Sequence, residues 1–153
     1  MADLTYRALK PGDAPDLAPL IAENAQALKR GAPRRPDEVF AERLLEDKSI
    51  EIIGAYEDEN LIGFAAFFDI PDLISGLRIG QLDDIYVIQD HRHKGIGRSL
   101  MEQLSKIGKA RDWLHVRWLV PNKNMVDNSL FEELAEAGDE ASFIIPIDRL
   151  TLA

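Results

Sequence analysis

The stretch from residue 78 to 104 constrains the fold more than any other part of the chain. It reads RIGQLDDIYVIQDHRHKGIGRSLMEQL, an apolar extended segment followed by a basic, glycine-containing turn and then by residues of helical period. The pattern predicts a long strand from Arg78 to Ile88 that leads through the turn directly into an amphipathic helix. The apolar side of that helix is formed by Ile96, Leu100, Leu104 and Ile107.

A turn of this kind predicts an anion-binding site. The first N–H groups of the helix have no intrahelical partner, and the positive end of the helix dipole points into the turn. Gly95 and Gly97 remove Cβ atoms where the backbone must approach the anion closely. The side chains that add positive charge or a donor are Arg92, His93, Lys94 and Arg98. The sequence therefore predicts a site for a pyrophosphate.

These residues also carry a resemblance to a known family. Residues 92–97, Arg-His-Lys-Gly-Ile-Gly, match the Arg/Gln-x-x-Gly-x-Gly/Ala loop of the GNAT superfamily of N-acetyltransferases. Residues 82–87 resemble the strand that leads into that loop. Asn124 and residues 128–134 are similar in spacing to the last helix of the family, especially of its diamine (spermidine/spermine-type) branch.

The resemblance implies an α+β fold with a mixed, mostly antiparallel central sheet, a parallel pair of strands around the cofactor site and helices on both faces. It also implies that acetyl-CoA is the acetyl-donating cosubstrate. The residues implied to bind it are Ile85, Val87, Arg92, His93, Lys94, Gly95, Ile96, Gly97, Arg98, Asn124 and Phe131. Many members of the family are dimers, so a homodimer is expected.

The rest of the chain predicts the order β-α-α-β-β-β-α-β-α-β. Before the central stretch, hydrophobic period, prolines and turn residues indicate a strand over residues 4–8, helices over about 13–30 and 36–47, and a hairpin of strands 50–56 and 61–68. After it follow a strand over 113–120 parallel to its neighbour, a helix over 124–137 with Gly138 behind it, and an edge strand over 142–147 that contains Pro146.

Length and composition favour a single domain over residues 1–153. No apolar run approaches a membrane span, and no export signal is predicted. Cysteine is absent, which excludes disulfides and a cysteine nucleophile and makes the cytoplasm the expected location. The formal charge of −9 argues against nucleic acid as a partner.

Acetyl transfer to an amine requires a proton acceptor for the amine. Asp83 stands where the diamine branch carries an acidic residue, and Asp84 lies beside it. A carboxylate there accepts the ammonium proton if its surroundings raise its pKa toward neutrality; the alternative is that either aspartate only binds the substrate cation. The resemblance implies that a tyrosine hydroxyl usually protonates the departing thiolate. Here Phe131 stands in the place of that tyrosine and has no proton to donate. Water, Tyr86, Ser129 or unassisted departure are the alternatives.

The resemblance implies a small primary amine as the acceptor. The segment between the first two helices is acid-rich in the diamine branch, whereas here it carries Lys29, Arg30, Arg34 and Arg35. A polyamine is therefore disfavoured, and an amine that also bears a carboxylate or phosphate is supported at least as well. His93 and Lys94 are a further departure from that branch and predict a more basic loop.

Several other functions compete with this prediction. A dinucleotide-binding Rossmann unit fails because Leu100 replaces the third glycine and Val120 and Pro121 replace the acid after the next strand. A P-loop motif is missing from the sequence. A metal site made of His91, His93 and His115 is disfavoured because the basic turn repels a cation. A non-catalytic acyl-CoA-binding module of the same fold stays open because of Phe131.

Overall fold

One five-stranded sheet in chain order, β1-β2-β3-β4-β5, organises the computed structural model, which describes residues 3–28, 38–120 and 133–146. The strands are β1 (Leu4–Ala8), β2 (Glu51–Glu57), β3 (Asn60–Pro71), β4 (Arg78–Val87) and β5 (Trp113–Trp118). The first four pair antiparallel, and β5 pairs parallel to β4. The predicted fold class is confirmed, and β4 and β5 form its parallel pair.

Helices cover both faces of the sheet. They are α1 (Ala14–Ala27), α2 (Glu38–Glu46) and α3 (Ile96–Ala110). Alternate residues of the central strands point to opposite faces, so that Phe64 packs with the side chains of α1 whereas its neighbour Ala65 packs with those of α3. The predicted helices before β2 are confirmed, although residues 29–37, which include the predicted start of the second one, lie outside the described part.

The apolar stripe of α3 fixes that helix on the sheet. Leu100 and Leu104 are fully buried against a cluster that includes Phe67 and Leu82. The crossover from α3 into β5 is equally close-packed, because a Cβ on Gly80 would lie 2.3 Å from the ring of Trp113. The first half of β4 is therefore covered at Gly80 by Trp113 and is paired with β5 as far as Leu82.

The hairpin of β2 and β3 agrees with the sequence except in the length of its turn. Strand pairing continues to Glu57 and Asn60, so that only two residues form the turn instead of the predicted four. Asp58 adopts a left-handed conformation with φ 54°, which aspartate tolerates and which two-residue hairpin turns require.

A β-bulge divides β4. Leu82 pairs with Phe67 and Asp84 pairs with Ala66, which leaves Asp83 as the extra residue. Regular alternation along β4 would put Leu82 and Asp84 on one face unless a bulge intervenes. The bulge does intervene and changes the phase: Leu82 packs with Ile85 toward α3, while Asp84 lies on the side of α1.

The C-terminal part of the chain also differs from the prediction. The expected helix over 124–137 is helical at residues 133–134 and has ended by 135, so Gly138 does not follow its last turn. Residues 142–146 have no regular secondary structure, where a strand was predicted, and Phe143 and Ile144 are exposed. No helix in the described ranges has the length and apolar character that crossing a membrane demands.

Candidate functional site

The turn between β4 and α3 leaves backbone donors open, as the sequence predicts. His93 and Gly95 adopt left-handed conformations with φ 61° and 84°, and α3 begins at Ile96. The first N–H of the helix that finds an acceptor is that of Ser99, which donates to the Gly95 carbonyl at 3.0 Å. The N–H groups of residues 96–98 have no acceptor in the part of the chain that the structure describes.

Gly95 and Ile96 contribute only their backbones to this turn. A Cβ built on Gly95 would meet no atom within 4 Å, so the space above the turn is open. The side chain of Ile96 points the other way, into the core beneath α3, where it is 2% exposed. The predicted role of Ile96 in holding a ligand is thereby limited to its N–H group, and the turn keeps its shape because that side chain anchors it.

Among the described residues, the second half of β4 has no strand partner on the side of β5, which leaves an open edge beside the turn. Pairing with β5 reaches only as far as Leu82, immediately before the bulge. At the far end of β4, Ile88 donates its N–H to the Ile62 carbonyl of β3 at 2.9 Å. Since successive peptide groups of a strand alternate in direction, those of Ile85 and Val87 point away from β3 toward this open edge, where an extended ligand can pair with them.

Two of the predicted cations already have partners. The Arg92 guanidinium donates from Nε to the Val87 carbonyl at 2.9 Å, and its central carbon lies 5.4 Å from the centre of the Tyr86 ring. Arg98 forms an ion pair with Glu133. His93 and Lys94, by contrast, are exposed and make no hydrogen bond or ion pair within the described ranges.

The two adjacent aspartates have different surroundings. Asp83 is exposed at the bulge, where β4 and β5 separate, and no described residue donates a hydrogen bond to it. The Asp84 carboxylate accepts a hydrogen bond from the Asn24 side chain at 3.2 Å. Only Asp83 therefore lies on the open part of β4 without a described donor.

A polar link joins α1 to β4 on the other face of the sheet. The Tyr86 hydroxyl donates to Glu23 at 3.1 Å, one residue before Asn24. Burial raises the pKa of the Tyr86 hydroxyl above its ordinary value, and the Glu23 carboxylate raises it further. No local pattern pairs residues so far apart, and the sequence therefore did not predict the contacts of Glu23, Asn24 and Glu133. The only local signal for the bulge was the Asp-Asp pair in an apolar strand.

The histidines do not form a metal site in the described residues. His91 contacts Glu57 at the end of β2, with 3.1 Å between its Nε2 and the carboxylate, and its Nδ1 is buried without a partner. Across the ranges that the structure covers, no three His, Cys, Asp or Glu side chains converge on a point. The predicted site residues Asn124 and Phe131, and the basic residues 29–35, lie outside the described part.

The fold and this site define a class of protein, and a comparison with known families agrees. The profile of the family described as "Acetyltransferase (GNAT) family" matches residues 17–135, more than half of the chain. The chain therefore belongs to the GNAT acetyltransferase family. The N-acetyltransferase class predicted from the sequence is confirmed at the level of the family.

Individual relatives share this class. The chain is similar to a solved structure described as ribosomal-protein-alanine N-acetyltransferase from Brucella melitensis biovar Abortus 2308, with 39% identity, a TM-score of 0.84, and coverage of 95% of this chain and 99% of that one. It is 29% identical over 98 residues to the uncharacterized N-acetyltransferase YhfO of Bacillus subtilis (strain 168). That match covers 64% of this chain and 66% of YhfO, so the chain spans just under two thirds of that relative's length.

A further solved structure shows the fold alone. An aminoglycoside acetyltransferase, HMB0005, from an uncultured soil metagenomic sample is 22% identical, with a TM-score of 0.79 and coverage of 95% of this chain and 99% of that one. Its arrangement of strands and helices resembles that of the present chain.

Proposed function

We propose that this chain is an acetyl-CoA-dependent N-acetyltransferase that acetylates a primary amine by direct attack, within one domain. The observation that carries the proposal is the juxtaposition of two open backbone surfaces. One is the first turn of α3, where the N–H groups of residues 96–98 find no acceptor among the described residues. The other is the edge of β4 after the bulge at Asp83. Family membership makes acetyl-CoA the expected occupant of both.

The residues present fit the parts of that cosubstrate. The N–H groups of the turn, with Lys94 and His93 exposed beside them, suit a diphosphate. The outward peptide groups of Ile85 and Val87 suit an extended arm that carries amide bonds. Asn124 and Phe131 stay predictions based on the resemblance.

Acetyl-CoA, when bound, supplies an acetyl thioester at the open edge. The acceptor ammonium would first have to lose a proton so that its nitrogen lone pair can attack. The carbon–nitrogen bond would then form as the carbon–sulfur bond breaks, with its electron pair leaving on the thiolate. We propose that Asp83 accepts this proton directly or through water, because it is exposed at the point where β4 and β5 separate. The Tyr86 hydroxyl already donates to Glu23, so a thiolate that leaves through water or unassisted fits the described residues better than protonation by Tyr86.

The acceptor is proposed to be a small molecule with a primary amine. A second candidate, the amino terminus of a protein, is favoured by the 39% identity with a protein described as a ribosomal-protein-alanine N-acetyltransferase. Two panels of acceptors separate them: small amines with and without a carboxylate or phosphate, and short peptides that begin with alanine. If only the peptides cause release of thiol from acetyl-CoA, acetylation of a protein amino terminus would be assigned as the function.

The diamine branch, the homodimer and the cytoplasmic location also remain predictions. The relatives named above are not described as diamine acetyltransferases. Tight binding of acetyl-CoA without any amine-dependent thiol release would instead favour the non-catalytic module of the same fold.

The test of the proposed site is a matched pair of substitutions at Gly95. Asparagine and aspartate both tolerate the left-handed conformation of this residue, but only aspartate places a negative charge beside a diphosphate. We expect Gly95→Asn to keep CoA affinity within about threefold and Gly95→Asp to weaken it about 100-fold by calorimetry. Equal affinities of the two variants would refute the assignment of this turn.

A further inference from the structure

The side chain of Arg92 is turned back onto β4. The Nε–H donates to the Val87 carbonyl at 2.9 Å, and the guanidinium lies over the ring of Tyr86, with its carbon 5.4 Å from the ring centre. Both contacts are to the strand that precedes the turn. The Val87 carbonyl takes one of the five N–H donors of the guanidinium, and together with the aromatic face it orients the group along the strand.

The carbonyl that Arg92 holds marks the end of the open edge. Val87 is the last residue of β4, and the next N–H, that of Ile88, is bonded to Ile62 of β3. By satisfying the Val87 carbonyl, Arg92 leaves the peptide groups of Ile85 and the N–H of Val87 as the part of the edge open to an extended ligand. Beyond this point a ligand must leave the strand and follow the turn toward α3.

Arg92 also connects this edge to the opposite face of the sheet. Tyr86, beneath the guanidinium, is 8% exposed, and its hydroxyl donates to Glu23 of α1. The contacts from Glu23 through Tyr86 to Arg92 and Val87 therefore form a continuous chain from α1 to the start of the turn. A planar guanidinium suits this task because one side chain can donate to a carbonyl and stack on a ring at the same time.

We propose that Arg92 is a positioning residue for the pantetheine arm of acetyl-CoA and not a ligand of its diphosphate. It holds the last carbonyl of the β4 edge and the ring of Tyr86 in place, so that the backbone is already in position when the arm binds. This role replaces the phosphate contact expected for Arg92 from the sequence, and it rests on the proposed function.

Two ligands and three variants test the proposal by calorimetry. CoA carries both the diphosphate and the arm, whereas ADP carries a diphosphate without the arm; ADP is measured by competition with CoA where its heat is small. Arg92→Gln keeps an N–H donor but removes the charge, and Arg92→Met removes both. Lys94→Gln removes a charge from the same turn at a side chain without a described partner.

Arg92→Met should weaken CoA binding about tenfold, the loss expected for one hydrogen bond from a charged donor, and should change ADP binding less than about twofold. Arg92→Gln should restore CoA affinity to near that of the wild type. Lys94→Gln should weaken both ligands equally, by about threefold, and reduce the dependence of affinity on salt.

Three results would overturn the inference. The first is that Arg92→Gln and Arg92→Met weaken ADP and CoA equally, as the loss of a phosphate ligand would. The second is that neither variant changes either affinity. The third is a wild-type protein that binds no CoA, which would remove the proposed function as well; the first two leave that function intact.

Discussion

The cluster of Arg7, Asp13 and Tyr56 and the turn before α3 both bring polar groups together, but only the cluster satisfies them. The Asp13 carboxylate accepts two hydrogen bonds from Arg7, at 2.8 and 2.9 Å, one from the N–H of Lys10 at 2.8 Å and one from Tyr56 at 3.3 Å. At the turn, the N–H groups of residues 96–98 find no acceptor within the described chain.

We infer that the polar groups of the cluster stabilise the fold, whereas the N–H groups of the turn are available to a ligand. In the cluster, the Arg7 guanidinium lowers the pKa of Asp13 to about 2, while burial raises the pKa of Tyr56 to about 12. Each shift reports an interaction that folding itself creates. The exposed Asp83 has no described donor, so its replacement should change chemistry and leave stability alone.

The largest effect is expected from Asp83→Asn. An amide cannot accept the ammonium proton, so kcat should fall about 100-fold or more, within the usual contribution of a general base. CoA affinity should change less than about twofold, and the unfolding free energy should not change. Steady-state thiol release and calorimetry on the same preparation measure both.

Asp90→Asn is the control for this prediction, because it removes one negative charge from an exposed position at the start of the same connection. A fall in kcat of the same size in both variants would indicate a field effect and contradict the role of Asp83. Full activity of Asp83→Asn would contradict it as well.

Asp13→Asn should lower the unfolding free energy by about 1–3 kcal/mol at neutral pH, because the bonds from Arg7 lose their charged acceptor. The folded pKa of Asp13, about 2, lies below the ordinary value of 3.8. The stabilisation is therefore fully present above pH 3.8 and is lost as the pH falls toward 2. Urea unfolding of both proteins at several pH values measures the difference.

The difference in stability between the two proteins should shrink across this acidic window. A difference that stays constant from pH 7 to pH 2 would show that the loss is one of packing and not of charge. In both proteins CoA affinity at neutral pH should be equal, because no hydrogen bond or ion pair among the described residues joins the cluster to the N–H groups of residues 96–98.

The smallest effect is expected from Glu133→Gln. Glu133 pairs with Arg98 in the first turn of α3, and its side chain is 65% exposed. A diphosphate bound there must compete with this carboxylate, so its neutralisation should raise CoA affinity two- to threefold, a size typical of exposed ion pairs. Glu136→Gln, at an exposed residue without a described partner, is the control. Equal affinity of Glu133→Gln and wild type would mean that the pair does not compete with CoA.

Local patterns predicted the elements that local forces decide. The stripe of Ile96, Leu100 and Leu104 forms the buried side of α3 as its period indicates, and Gly95 occupies the left-handed position before it. The turn therefore followed from the sequence. The bulge at Asp83 did not, because it is defined by the register of β4 against β3, which depends on residues at the other end of a hairpin.

The directions of the Arg92 and Arg98 side chains could not be predicted from the sequence either. Arg92 was expected to face a phosphate, but the Val87 carbonyl and the ring of Tyr86 lie within its reach and orient it toward the strand. Arg98 meets Glu133, 35 residues away along the chain. Composition and spacing mark neither contact. The Glu133 contact joins distant parts of the chain, and the direction of Arg92 depends on how the turn returns its side chain to a strand only five residues before it.

The most direct test of the central claim is the amide spectrum of isotopically labelled protein titrated with CoA. The account predicts that the largest shifts occur at the N–H groups of Ile96, Gly97 and Arg98, followed by those of Ile85 and Val87. Binding with the largest shifts elsewhere, for example around the open groove between Leu9 and Leu44, would contradict it.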